Sequence, residues 1–226
     1  MKENMPRAER AVILSAGQGS RLLPLTEDRP KCLLPLDSRS LIEWQVHELT
    51  QCGVNEIVVV VGFRAAAVES LLARLARPGL RIRTIFNPFF NVADNLGSCW
   101  LARHEMNDDF LIVNGDTVFE AAVLRRLLNS PAAPITVTID RKAAYDADDM
   151  KVRLDGARLL EIGKTLPLDQ VDGESIGVLY FRGAGPRLRY DHVACARRSV
   201  RDGAASGFEI DEDARRRVER CDADER

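Results

Sequence analysis

The chain has 226 residues, 46% of them apolar and 29% charged, with a formal net charge of −2. That supplies enough apolar side chain for one α/β domain with a small appendage, and the near-neutral balance gives no basic field for nucleic acid. The longest apolar runs, such as Ile57 to Val61, are strand length and far short of a membrane span.

The first ten residues, MKENMPRAER, are polar and lack the apolar region of a secretory signal. Cysteines stand at 32, 52, 99, 195 and 221, an odd number with no C-x-x-C pair. This pattern indicates reduced thiols in a cytoplasm, with neither a disulfide framework nor a structural zinc site.

Strand and helix signals alternate through the first 140 residues. AVIL at 11–14 is a short apolar run that ends in a glycine turn. Ser40-Leu41-Ile42-Glu43 has the spacing of a capping box and predicts a helix to Cys52, stopped at Gly53. IVVVV at 57–61 is β-branched throughout and predicts a strand buried on both faces. A helix follows at about 65–77, stopped by Pro78-Gly79, then an alternating strand, RIRTIF, at 81–86. Residues 96–106 read as a helix, FLIV at 110–113 as a buried strand, 120–129 as a helix and ITVTI at 135–139 as a strand. The βαβα order implies a largely parallel sheet with right-handed crossovers.

The rhythm changes after residue 140. RLLEI at 158–162 and IGVLYF at 176–181 read as strands with no long helix between them, an antiparallel excursion or a mixed sheet edge. Residues 191–226 hold only five large apolar side chains, too few to bury much area, and predict an atypical charged tail with local disorder or a marginal helix. The domain expectation is therefore one main domain over 1–190 and an atypical charged tail over 191–226.

The informative stretch is SAGQGSRLLPLTEDRPKCLLPL at 15–36. Gly17 and Gly19 match the start of G-x-G-x-x-G, but Leu22 stands at the third glycine, and Lys31 lies outside a P-loop frame. A lone G-x-G is equally consistent with a structural tight turn. Its surroundings favour an anion: glycines let backbone N–H groups approach a phosphate, Arg21 adds a permanent cation, and Pro24 and Pro30 stiffen the segment that ends at Lys31.

The stretch resembles the signature G-x-G-x-R-x-x-P-L-T-x-x-x-P-K-x-L-L-P of nucleotidyltransferases that activate sugar 1-phosphates and phospho-alcohols, with every position filled. The resemblance implies an α/β fold: a Rossmann-like three-layer α/β/α architecture with a mixed, mainly parallel central sheet and a small antiparallel excursion. It implies that Leu14, Ala16, Gly17, Gln18, Gly19 and Ser20 hold the nucleotide and its phosphates. Arg21 would assist pyrophosphate departure and Lys31 would steady the reacting phosphates. Asn114 and Gly115, in FLIVNGD, fall among the nucleotide-binding positions. Asp116, at the carboxyl edge of that strand, falls where the family carries its Mg²⁺ aspartate. Asn-Gly and Gly-Asp are also ordinary turn dipeptides. Asp211, in Glu209-Ile210-Asp211, partly matches the family's second metal segment and equally matches a chance acidic cluster. In the CTP-using branch an Asn and a Ser at the positions of Asn95 and Ser98 contact nucleotide; Ser98 reads equally well as a helix cap.

Asp149-Met150-Lys151-Val152, Glu161-Ile162-Gly163-Lys164 and Gly173-Glu174-Ser175-Ile176-Gly177 resemble a series in phosphocholine cytidylyltransferases and related enzymes acting on aminoethylphosphonate. By that resemblance Lys164 neutralises an acceptor phosphate, and Asp149 or Glu174 meets a cationic head group. Lys151 reads as a strand-edge surface charge. Phe86, Phe89, Phe90 and Trp100 form either core or an aromatic cover for a quaternary ammonium. The expected partners are a nucleoside triphosphate, CTP favoured, and a small phosphorylated or phosphonate acceptor, with Mg²⁺ as cofactor, no nucleic acid and no membrane. The sequence also admits a homo-oligomer. The alternatives are a sugar-1-phosphate uridylyl- or thymidylyltransferase and a non-catalytic nucleotide-binding relative. A phosphate monoester has a second pKa of about 6, so the acceptor is already ionised at neutral pH and needs no histidine base. His47, His104 and His192 accordingly lie in none of the motifs.

Overall fold

The computed structural model describes residues 8–183 and 207–208. The described chain forms two compact units. One holds the residues up to Val137 together with those from Gly177 onward to 183; the other holds Thr138–Ile176 with Gly207–Phe208.

The first unit is built on parallel strands β1 (Arg10–Ser15), β4 (Glu56–Val61), β5 (Arg81–Phe86) and β6 (Phe110–Asn114). Strand β1 lies between β4 and β6, in register from Arg10 opposite Glu56 and Phe110, and β5 pairs beyond β4. The last four residues of β10 (Gly173–Phe181) run antiparallel to β6. A short hairpin, β2 (Pro35–Leu36) and β3 (Arg39–Ser40), precedes helix α1 (Leu41–Gln51). Helices α2 (Ala65–Leu75), α3 (Asn95–Leu101) and α4 (Ala121–Leu128) complete the crossovers, and β7 (Ile135–Asp140) pairs with β10.

The sheet is covered on both faces. Ala11, Ile13, Val59, Leu111 and Val113 pack against α1, α2 and α4. On the other face Val12, Leu14, Val58 and Val60 pack with Ala102, Met106 and Phe110. Each residue from Ile57 to Val61 is at most 1% exposed, as an all-β-branched run predicts for a strand buried on both sides. Burial of such a side chain contributes about 1.5–3 kcal/mol. The mixed, mainly parallel sheet expected from the alternation is thus the observed one.

Helix ends depart from the sequence reading where side chains intervene. Glu43 accepts from the backbone N–H and the hydroxyl of Ser40, at 2.8 and 2.6 Å, so the predicted cap of α1 forms. Helix α2 stops at Leu75, because Arg77 precedes Pro78 and the residue before a proline is pushed out of the helical region. The helix read over 96–106 is two pieces, α3 and a 3-10 turn at Arg103–Glu105. Arg103 stacks 4.4 Å over the Trp100 ring and donates to the Trp100 carbonyl, which interrupts the helix there. The cap of α3 is Asp94, whose side chain accepts from Leu96 N–H, and not Ser98.

The second unit is antiparallel. Strands β8 (Lys151–Asp155) and β9 (Arg158–Gly163) form a hairpin, Gly173 and Glu174 of β10 pair with β8, and β11 (Gly207–Phe208) pairs with β9. Among the described residues no helix is long and apolar enough to cross a membrane.

Candidate active site

Strand order places the site. From β1 the chain moves to β4 and β5 on one side, then returns to β6 on the other. The carboxyl ends of β1 and β6 therefore flank the point where the order reverses, which is where open α/β sheets bind ligands. Gly17 to Ser20 leave the end of β1, and Asn114 to Asp116 leave the end of β6.

The two loops are in close contact. Gly115 N–H donates to the Leu14 carbonyl at 2.9 Å. A Cβ at residue 115 would stand 2.1 Å from Ser15 Oγ and 2.6 Å from Leu14 O, so only glycine fits. Gly19 adopts left-handed backbone, φ 81°, and the stem of Lys31 lies against it, 2.9 Å from where a Cβ would be. The glycine end and the lysine end of the signature thus touch each other. Thr26 secures this fold-back: fully buried, it donates from Oγ1 to the Gly19 carbonyl at 2.9 Å, while Gln18 donates to the Thr26 carbonyl. The sequence reading gave Thr26 no role, although the threonine is a signature position.

Lys31 Nζ reaches Asp116 Oδ2 at 2.7 Å, with 31% and 45% of the two side chains exposed. Two residues read as partners of phosphate and metal are therefore held together beside the carboxyl end of β6. Asp116 is a single hard oxygen donor that already draws a cation. This is the donor set Mg²⁺ uses when substrate phosphates complete its shell. Among the described residues no group of three or more His, Cys, Asp and Glu side chains gathers into a metal cluster. Asp211 lies outside the described residues.

Asn95, at the start of α3, donates from Nδ2 to Asn114 Oδ1 at 3.1 Å, which joins two of the expected nucleotide residues at the same crevice. Ser98 is not brought there in the same way. It is 3% exposed, and its hydroxyl accepts from the buried Asn87 side chain. Arg21 sits in the 3-10 turn Ser20–Leu22 beside the glycine loop. Of the four clustered aromatics, Phe90 packs into the core near Phe63, Trp100 is covered by Arg103, and Phe86 and Phe89 are more than half exposed.

In the second unit Asp149 and Glu174 share one cation, Lys142, at 2.7 and 3.0 Å. Its ammonium also lies 5.8 Å from the Tyr145 ring centre. The Lys142 hydrogen bond, followed by the Asp146 N–H, holds the Asp149 carboxyl below the ordinary aspartate range. The two carboxylates in turn raise the Lys142 ammonium. Lys164 pairs with Asp148 at 3.3 Å on the exposed side. Lys151 corrects the surface-charge reading: it is 3% exposed, and its ammonium donates to the carbonyls of Asp146 and Lys164 at 2.6 and 2.9 Å. Neither Lys142 nor Tyr145 was singled out by the sequence, since neither stands in a motif.

A glycine loop, a lysine and an acidic turn at a switch point define an α/β unit suited to holding a nucleoside triphosphate. The chain belongs to the family of the MobA-like NTP transferase domain, whose model matches residues 11–223. It is 41% identical over 124 residues to CMP-5'-(3-aminopropyl)phosphonate synthase of Streptomyces rubellomurinus, covering 55% of this chain and 20% of the relative. It is 26% identical over 187 residues to CTP:phosphoglutamine cytidylyltransferase of Campylobacter jejuni, covering 76% of this chain and 72% of that protein. With choline-phosphate cytidylyltransferase of Streptococcus pneumoniae it shares 31% identity over 111 residues, 49% of this chain and 46% of the relative. The chain thus spans less than half the length of two of these three curated relatives. The fold matches that of the inositol-1-phosphate CTP transferase from T. maritima, with a TM-score of 0.70, 22% identity, and 91% and 88% of the two chains covered.

Proposed function

We propose that the chain transfers a cytidylyl group from CTP to the phosphate or phosphonate of a small amine-bearing acceptor and releases pyrophosphate. The observation that carries this reading is the contact of Gly19, Lys31 and Asp116 at the switch point, in a chain whose similar relatives are cytidylyltransferases by name.

The chemistry is an in-line displacement. An ionised acceptor oxygen attacks the α-phosphorus of CTP, the bond from that phosphorus to the bridging oxygen breaks, and pyrophosphate leaves with the electron pair. The backbone N–H groups of the glycine loop and Arg21 hold the departing phosphates. Lys31 leaves Asp116 for the reacting phosphate, and rate comes from positioning and charge neutralisation. Mg²⁺ held by Asp116 supplies further neutralisation of the triphosphate when bound. Leu14, Ala16, Gln18, Ser20, Asn95, Ser98, Asn114 and Gly115 form the nucleotide's surroundings in this reading.

Acceptor choice falls to Asp149, Glu174 and Lys164. The carboxylate pair already encloses an ammonium, that of Lys142, beside an aromatic ring. A substrate amine that displaces Lys142 meets the same charges, and in this reading Lys164 takes the phosphate or phosphonate. Burial pushes the Cys32 and Cys99 thiols up to about 11 and about 12, which keeps both protonated at neutral pH.

The test is a pyrophosphate-release screen of four NTPs against aminoalkylphosphonates, phosphocholine, phosphoglutamine, inositol phosphate and several sugar 1-phosphates. We expect turnover with CTP and an amine-bearing acceptor. Turnover with sugar 1-phosphates alone would overturn the reading and favour the sugar-nucleotide alternative. CTP binding without pyrophosphate release under every condition would mark a non-catalytic relative.

A further inference from the structure

Helix α1 buries one face, formed by Ile42, Gln45, Val46 and Leu49 at helical spacing. Three of these are apolar. Gln45 is not, and it is only 1% exposed. A buried amide costs stability unless its polar atoms are partnered; the Gln45 Oε1 has no hydrogen-bond partner among the described residues, so the side chain is held by its nitrogen alone. Its Nε2 donates to the carbonyl of Asn114 and to the carbonyl of Thr117, each at 2.8 Å. Those carbonyls bracket Asp116. The Thr117 N–H also donates to the Asn114 carbonyl at 3.1 Å, so residues 114–117 form a tight turn with Gly115 and Asp116 at its centre.

Two further bonds tie the same helix to the segment after the turn. Glu48 accepts from the Ala121 N–H at 2.6 Å, and the Cys52 thiol meets the Ala121 carbonyl at 3.4 Å. One helix therefore holds the chain from Asn114 to Ala121 at successive points. Gln45 is the point nearest the carboxylate.

We propose that Gln45 is the positioning residue for Asp116. Its amide touches neither phosphate nor metal; it fixes the turn that aims the carboxylate into the crevice. The proposal rests on the reading that Asp116 holds a divalent ion in nucleotidyl transfer. The amide must donate twice, because both partners are carbonyl oxygens. A glutamate can donate once when protonated and not at all when ionised, and a methionine fills similar space with no donor.

The experiment compares wild type with Gln45→Met, Gln45→Glu and Asp116→Asn. Titration with Mn²⁺, followed by electron paramagnetic resonance in the presence of CTP, reads the ion site directly, and thermal melting reads the fold. We expect Gln45→Met to remain folded and to weaken Mn²⁺ binding by about 10–100-fold, the usual effect of removing an outer support of a metal ligand. We expect Gln45→Glu at low pH, where the protonated carboxyl still donates once, to bind Mn²⁺ more weakly than wild type but more tightly than Gln45→Met, and to lose that binding as pH rises and the buried carboxyl ionises against two carbonyls. Wild type shows no such loss over the same range. Unchanged Mn²⁺ binding in both Gln45 variants overturns the proposal. So does a loss in Gln45→Glu that does not depend on pH, which is also the deciding result where Gln45→Met fails to fold. If Asp116→Asn binds Mn²⁺ like wild type, the metal reading itself fails, whatever the Gln45 variants do.

Discussion

The two units handle charge in different ways. In the parallel unit the charged groups of the candidate site stand on loops beyond the ends of buried strands, and the groups that hold Gly19 and the 114–117 turn are neutral. Thr26, Gln45 and backbone N–H groups fix the positions of Gly19 and Asp116. In the antiparallel unit the holding groups are themselves charged. Lys151 ties two carbonyls from inside, and Lys142 clasps two carboxylates from outside. A neutral scaffold keeps one geometry across pH and leaves its lysine and aspartate to react with ligand. An ionic scaffold responds to pH and to a competing cation, which suits a region that must recognise a charged acceptor.

The sharpest way to break this comparison is Gly115→Ala. The new methyl meets the Ser15 hydroxyl, which can rotate away, and the Leu14 carbonyl and Ser15 Cα, which are backbone and cannot. We expect a loss of about 3 kcal/mol or more in urea unfolding, the upper range for an overpacked core. A variant as stable as wild type would show that the loops are not rigidly apposed.

Next in size is Lys151→Met, which leaves the Asp146 and Lys164 carbonyls without their shared donor. The expected cost is about 1–3 kcal/mol in the same measurement. CTP affinity by calorimetry should be unchanged, because the residues proposed to hold the nucleotide belong to the other unit.

A smaller effect concerns Asp149. Its folded pKa lies below the unfolded one, so its contribution is complete above the unfolded value and lost as pH falls through the folded value. Carboxyl NMR titration should place its midpoint below that of an ordinary aspartate. Removing the principal cause with Lys142→Ala should move the midpoint upward. No movement would mean that Lys142 does not govern the acceptor carboxylates.

The smallest effect is reserved for Asp28, within the signature but on its surface. Its pair with Arg64, at 3.1 Å, is largely exposed. Asp28→Ala should change stability by less than about 0.5 kcal/mol.

Much of the parallel unit was legible because its information is local. The β-branched run at 57–61, the capping box at Ser40 and the signature each lie within one short window. What was missed depends on partners far apart in sequence or on side chains that outbid a local pattern. Gln45 looks like one more polar residue on a helix until the carbonyls of Asn114 and Thr117 arrive beside it, 69 and 72 residues later. Lys151 reads as a surface charge because nothing in the sequence shows that two carbonyls will surround it. Ser98 reads as a cap because the sequence pattern places the helix start too late; the cap is Asp94, whose side chain accepts from Leu96 N–H two residues on.

The most direct test of the central claim is paired calorimetry and pyrophosphate release on Lys31→Ala and Asp116→Ala. Both variants should keep the wild-type far-UV circular dichroism and lose pyrophosphate release by at least about 100-fold. Lys31→Ala should still bind CTP in the presence of Mg²⁺. Full turnover by either folded variant would contradict the claim.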